Sequence, residues 1–408
     1  MWGALTLVFN GFGLILLYQF IKYKIRDFRS ETDSHKYWRF SRHKYVLSVG
    51  GMLLLAALII EFFIPEVSPL KDAVNRMDLI QWTGVAIAFS ISIIWAVYIR
   101  RLDIFEPESW WHILIVFIMG CVTVWLVYPI SGFLNNQIGL NLDGGAFNDF
   151  MYCFVGIGMV EEFVKMIPLL IIMRFRNIVN EPYDYLLYAA ISALGFAFIE
   201  NSMYLFRTDL FAINARALMS SVAHMTFSSV IGYSYMISST RRLRNGWYYI
   251  LGGFLLASLM HGFFDFWLIN PVAKQYNGMS FIFFILTTHF WFTMKNKAVN
   301  ASYFFSDNIK LVNDSLRFFL IFWLVALLVG STLVIGVFHG NIAAHEFLRG
   351  QVFAYGFLIY YLSFSFSRFV IAPRALAACQ VVFDKAIPEE PEPREDWQAF
   401  YEEKEKHW

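Results

Sequence analysis

Stretches of about twenty apolar residues recur along almost the whole of this 408-residue chain, and that pattern limits its fold more than any other feature. Each is long enough to cross the hydrocarbon of a bilayer as a helix. Hydropathy places about eleven of them, at 2–21, 45–64, 80–98, 111–134, 147–173, 184–206, 213–238, 247–269, 281–294, 316–338 and 351–371. The ninth is short enough to read as re-entrant or tilted. The first lacks a basic lead-in and reads as a retained anchor rather than a cleaved signal. Composition agrees: 58% of residues are hydrophobic and only 15% charged, where a soluble domain carries about 25%. The expected fold is therefore all-α, a polytopic transmembrane helix bundle.

Charge and cysteine usage exclude several function classes. A net charge of +1 with no basic face argues against a nucleic-acid partner. Cys121, Cys153 and Cys379 show no paired spacing, so neither a disulfide framework nor a cysteine metal site is expected. Lys and Arg are dense in the 22–44 connection and recur at Arg100–Arg101, Arg174/Arg176, Arg241/Arg242/Arg244 and Lys295/Lys297/Lys310. The intervening connections are poorer, which predicts an outside N-terminus and a cytoplasmic C-terminus. After Arg374 the chain turns Pro- and Glu-rich, as a solvated cytoplasmic tail would.

Four consecutive spans carry ionisable residues that a lipid-facing helix would not. They are Glu161, Glu162 and Lys165 in the fifth, Glu200 in the sixth, His224 in the seventh, and His261 with Asp265 in the eighth. A charge near the bilayer centre costs about 2.5–3.5 kcal/mol on insertion scales, so such groups face the protein interior and mark function. Glu161 and Lys165 are four residues apart and share a helix face; Glu162 points about 100° away. One Glu and the Lys would make a structural ion pair, but a second buried carboxylate needs its own partner. Two carboxylates beside one cation can differ in protonation, which suits one of them to act as a base. His261 and Asp265 are likewise four apart, so Asp265 is expected to fix the ring tautomer. His224 lies mid-span among Ser220, Ser221, Thr226 and Ser228, and Glu200 is followed by Asn201. The depths overlap from the midplane outward, so one cavity open to the non-cytoplasmic side is feasible.

In order, EExxK at Glu161–Lys165, FxxxEN at Phe196–Asn201, His224 and HxxxD at His261–Asp265 resemble the PrsW family of intramembrane proteases. That family stands within the wider group of type II CAAX prenyl endopeptidases and abortive-infection-like membrane proteins. LDIFEPESW, with Asp103, Glu106, Pro107 and Glu108, resembles a further PrsW signature. The resemblance covers about residues 80–270. It divides the chain into N-terminal spans with a basic loop (1–79), a protease core built on four helices (80–270), further spans (271–373) and an acidic tail (374–408).

The resemblance implies an intramembrane endopeptidase acting on a membrane-anchored protein, by analogy an anti-sigma factor, in a prokaryotic plasma membrane. Glu161 or Glu162 would take the proton from water, with Lys165 tuning the pair. His224 would position the water, His261 oriented by Asp265 would give an oxyanion donor, and Glu200 with Asn201 would complete the polar shell. The same Glu161, Glu162, His224 and His261 offer a ligand set for Zn²⁺, but no HExxH spacing decides it; kinship with the prenyl endopeptidases favours the metal-free scheme. His289, His339 and the His345–Glu346 pair lie beyond the matched region and read as solvated or interfacial, the last three in an outward loop. Proton-coupled transporters also carry intramembrane Glu, His and Asp, and an inactive scaffold would keep the fold. No pseudo-repeat supports the transporter, and retention of every motif argues against the scaffold.

Overall fold

The computed structural model describes residues 33–240, 245–304 and 313–367, with side chains from Ser48 onward. The first expected span, Arg241/Arg242/Arg244, Lys310, Cys379 and the acidic tail lie outside the described residues. The described chain is helical throughout and contains no strand. Its helices are α1 (Asp33–Phe63), α2 (Arg76–Leu102), α3 (Trp110–Ile138), α4 (146–172), α5 (Pro182–Arg207), α6 (213–240), α7 (Trp247–Ile269), α8 (Gly278–Asn300), α9 (Asn313–His339) and α10 (Asn341–Phe366). Helix is the form in which a single segment satisfies all of its backbone polar groups away from water. Five of these helices (α2, α3, α5, α7 and α9) are long and apolar enough to cross a membrane.

α5 is the centre of the bundle. It packs on α2, α3, α4, α6 and α8. Its sequence YAAISALGFA is rich in small side chains, which lets neighbouring backbones come close. At Gly195 a Cβ would sit 2.1 Å from the carbonyl oxygen of Phe117 on α3, so any larger residue must push the two helices apart. The α4–α7 crossing is equally tight: a Cβ on Gly262 would lie 2.5 Å from Cα of Phe154.

α1, α9 and α10 pack mainly on one another. They join the rest through an aromatic seam in which Phe366 of α10 stacks on Trp291 of α8 at 4.9 Å, while Tyr98 of α2 donates to the Phe366 carbonyl at 2.8 Å. Two helices are interrupted in a manner that bears on the site. α4 runs with π geometry from Tyr152 to Met159, one residue before Val160 and the two glutamates. α6 does the same from Arg216 to Ser220, one turn before His224. A π stretch widens the helix and rotates the turns beyond it, and such bulges recur at functional sites.

Candidate active site

The π turns of α4 and α6 bring their polar residues onto the faces that meet α5 and α7. Lys165 of α4 is the hub. Its ammonium donates to Glu161 Oε2 at 3.1 Å and Glu162 Oε1 at 2.9 Å, and lies 2.9 Å from Nδ1 of His224 on α6. It also sits 4.3 Å above the ring of Phe196, a cation–π contact from α5. The lysine is buried, so these contacts replace its hydration shell. The expected Glu161–Lys165 face is present, and Glu162, three residues from Lys165, reaches the same ammonium.

The two glutamates differ sharply. Glu162 is completely buried and fully bonded: besides Lys165 it accepts from Ser228 Oγ at 2.6 Å and from His261 Nδ1 at 2.9 Å. Glu161 keeps 14% of its side chain exposed, and Oε1 makes no hydrogen bond with any described residue. Its Oε2 lies 3.6 Å from Nε2 of His261.

His224 is held at both nitrogens. Because the lysine ammonium can only donate, Nδ1 accepts, which leaves Nε2–H to donate to Glu200 Oε2 at 2.7 Å. Glu200 is also 2.9 Å from a guanidinium nitrogen of Arg216, and Arg216 Nε donates to Asn201 Oδ1 at 2.5 Å. Asn201 donates in turn to Ser221 Oγ at 3.0 Å. Glu200 and Asn201 thus lie beside His224 in one hydrogen-bonded layer. Arg216, near the start of α6, joins it and is not among the residues the sequence motifs single out.

His261 departs from expectation in its orienting partner. Asp265 lies 3.6 Å from Nε2, beyond hydrogen-bond reach, whereas Glu162 holds Nδ1 at 2.9 Å. The tertiary carboxylate, not the one a turn along the same helix, fixes the ring. With Nδ1–H on Glu162, Nε2 is left without a hydrogen bond among the described residues, 3.6 Å from both Glu161 Oε2 and Asp265 Oδ2. The His224 and His261 rings stand edge to face with centroids 5.2 Å apart.

Glu161, His224 and His261 each bring one ligand-type atom within 4.8 Å of the others. Two histidines and a carboxylate are the donor types of a catalytic zinc site, so the residues fit such an ion chemically. Glu161 is partly exposed, and neither its Oε1 nor His261 Nε2 makes a hydrogen bond among the described residues. An ion on His224 would replace its contact with Lys165 or Glu200.

The decoy histidines stay outside this site. His339 and His345 pair with Asp209 (3.4 Å) and Glu61 (3.3 Å), and they lie in α9 and α10 rather than in a loop, as does Glu346. His289 lies within α8 beside Phe292. The two described cysteines, Cys121 and Cys153, are unpaired.

A family model described as "PrsW family intramembrane metalloprotease" matches residues 108–291, the stretch that supplies every member of this cluster. Protease PrsW of Geobacillus kaustophilus is 31% identical over 204 residues, which cover 50% of this chain and 85% of that protein. Protease PrsW of Clostridioides difficile is 30% identical, covering 41% of this chain and 72% of that protein. Protease PrsW of Bacillus subtilis is 27% identical, covering 48% and 86% respectively. No solved structure matches the chain. Motifs, converging geometry and relatives agree, and the chain belongs to the PrsW family of intramembrane proteases.

Proposed function

We propose that this chain hydrolyses a peptide bond of a membrane-anchored protein, with Glu161 as the base that activates water. The observation that carries this reading is the asymmetry of the glutamate pair: Glu162 is spent on three hydrogen bonds, while Glu161 presents a free oxygen at the partly open side of the cluster. Glu161 takes a proton from water as the oxygen attacks the carbonyl carbon, then delivers it to the departing amine. His261, held by Glu162, touches the same water from Nε2 and, in its doubly protonated form, donates to the developing oxyanion. Lys165 holds Glu161 in place through its 3.1 Å hydrogen bond to Oε2. His224 transmits the Glu200–Arg216 shell to that lysine. Asp265 is a polar neighbour of His261, 3.6 Å from Nε2.

A second reading rests on the Glu161, His224 and His261 set. These three would hold a divalent metal, which when bound polarises the scissile carbonyl and acidifies water. The positive charge already at the centre is the Lys165 ammonium, in contact with Glu161, Glu162 and His224, and it favours the metal-free scheme.

We further read the chain as crossing a prokaryotic plasma membrane about eleven times, with the N-terminus outside, the C-terminus in the cytoplasm and residues 80–270 as the protease core. The support is the alternation of basic connections. A regulatory target of the anti-sigma-factor type rests only on analogy with the family.

The test is reconstitution of the purified chain in liposomes with single-span substrates, products being mapped by mass spectrometry. Cleavage by wild type and its loss in His261→Ala supports the reading; equal cleavage by both contradicts it. Metal content and chelator response of the same preparation separate the schemes. Full activity without bound metal supports the glutamate route, and loss restored by Zn²⁺ supports the metal route.

A further inference from the structure

Far from the catalytic cluster, the chain gathers carboxylates where α2 ends and α5 begins. Asp103 caps α2, Glu181 precedes α5, and Asp184 lies in its first turn. All three are buried, and each places one oxygen within 4.8 Å of the others. Glu200 stands sixteen residues further along α5, about 24 Å at 1.5 Å per residue, so this is a separate site.

The hydrogen bonds of Asp103 and Asp184 are one-sided, while Glu181 shares a capping box with Asp184. Asp103 Oδ2 accepts from the Glu108 backbone at 2.7 Å, and Asp184 Oδ2 accepts from the backbones of Asn180 and Glu181, both at 2.8 Å. Glu181 Oε2 accepts from Ser302, just past α8. The second oxygen of Asp184 is buried with no hydrogen-bond partner, and the second oxygen of Asp103 has none beyond the Glu181 carboxyl beside it. No described lysine or arginine forms an ion pair with any of the three. An independent group points to the same space. The Tyr188 hydroxyl, one turn along α5 from Asp184, is completely buried and makes no hydrogen bond of good geometry, with Glu108 as its first charged neighbour and Asp184 and Asp103 beyond it.

Buried carboxylates are compensated by a cation or a metal, and unbonded buried oxygens carry a desolvation cost. We propose that Asp103, Glu181 and Asp184, with the Tyr188 hydroxyl above them, bind one hard divalent cation of the Mg²⁺ or Ca²⁺ type. An all-oxygen donor set of three carboxylates selects such ions over Zn²⁺. The bound ion ties the ends of α2 and α5 together and, through Glu181 and Ser302, the end of α8. It therefore acts as a structural clamp on the helix that carries Glu200.

Equilibrium dialysis of the purified full-length protein tests this, with metal analysis after chelation and exposure to MgCl₂, CaCl₂ or MnCl₂ in turn. Wild type and His261→Ala should each retain one equivalent of Mg²⁺, Ca²⁺ or Mn²⁺ that Asp103→Asn and Asp184→Asn lose. Tyr188→Phe, which removes one oxygen without altering charge, should weaken that equivalent at least threefold. It keeps the test decisive should the Asp variants fail to fold, as judged by helical circular dichroism. Wild type that takes up none of the three ions at millimolar concentration overturns the proposal. So does an equivalent retained unchanged in a folded Asp103→Asn or in Tyr188→Phe.

Discussion

Glu161 and Glu162 are neighbours in sequence with opposite duties, and single substitutions should separate them. Glu162→Gln removes the charge that holds both Lys165 and His261 in a dry setting. Breaking a buried ionic network from one side costs about 3–5 kcal/mol, so its unfolding midpoint in mixed detergent should fall clearly. Lys165→Met should be destabilised to a similar degree, because it strands two carboxylates beside His224. By contrast, His339→Ala and His345→Ala should cleave within about twofold of wild type in the liposome assay, since nothing links those rings to the cluster. Much of this site is legible in the sequence because spacing within a helix reports shared faces, as for Glu161 and Lys165. The partner of His261 is not. Sequence spacing offers Asp265 four residues away, whereas the hydrogen bond goes to Glu162, 99 residues earlier. Asp184 and Glu181 cannot be read as partners of Asp103 for the same reason.

At the scale of elements, the crossing of α4 and α7 sets the distance between the glutamate pair and His261. Gly262 lets the helices meet at Phe154, next to His261 in sequence. Gly262→Ala should therefore displace His261 and lower the cleavage rate by more than about tenfold, given that misplacements of about 1 Å cost up to about a hundredfold. Its helical content should persist while the unfolding midpoint drops. Hydropathy locates these elements well where they are apolar end to end; the eighth expected span, 247–269, coincides with α7. It errs where polar residues continue a helix. The span expected at 281–294 is the middle of α8, which runs from Gly278 to Asn300 through Lys295 and Lys297. Residues 33–44, read as part of a basic loop, belong to α1. Lys and Arg are good helix formers, so a charged stretch can end a hydrophobic run without ending a helix. The π turns that aim Glu161 and His224 leave no comparable mark in sequence, since they depend on packing against neighbouring helices.

For the whole molecule, α5 acts as a spine, with the catalytic cluster near one end and the carboxylate cluster at the other. The proposed orientation places the carboxylate end in the cytoplasm. In a cysteine-free background, Lys274→Cys should react with an impermeant maleimide in intact cells, whereas Arg176→Cys should react only after permeabilisation. The reverse pattern would invert the topology.

The central claim is that Glu161 supplies the base, with Glu162 as its scaffold. The most direct measurement is the single-turnover cleavage rate of a single-span substrate in liposomes by wild type and by Glu161→Gln that retains the wild-type unfolding midpoint. The account predicts a loss of about 10²–10⁴-fold for Glu161→Gln, the range for removing a general base. Cleavage by folded Glu161→Gln at the wild-type rate would contradict it.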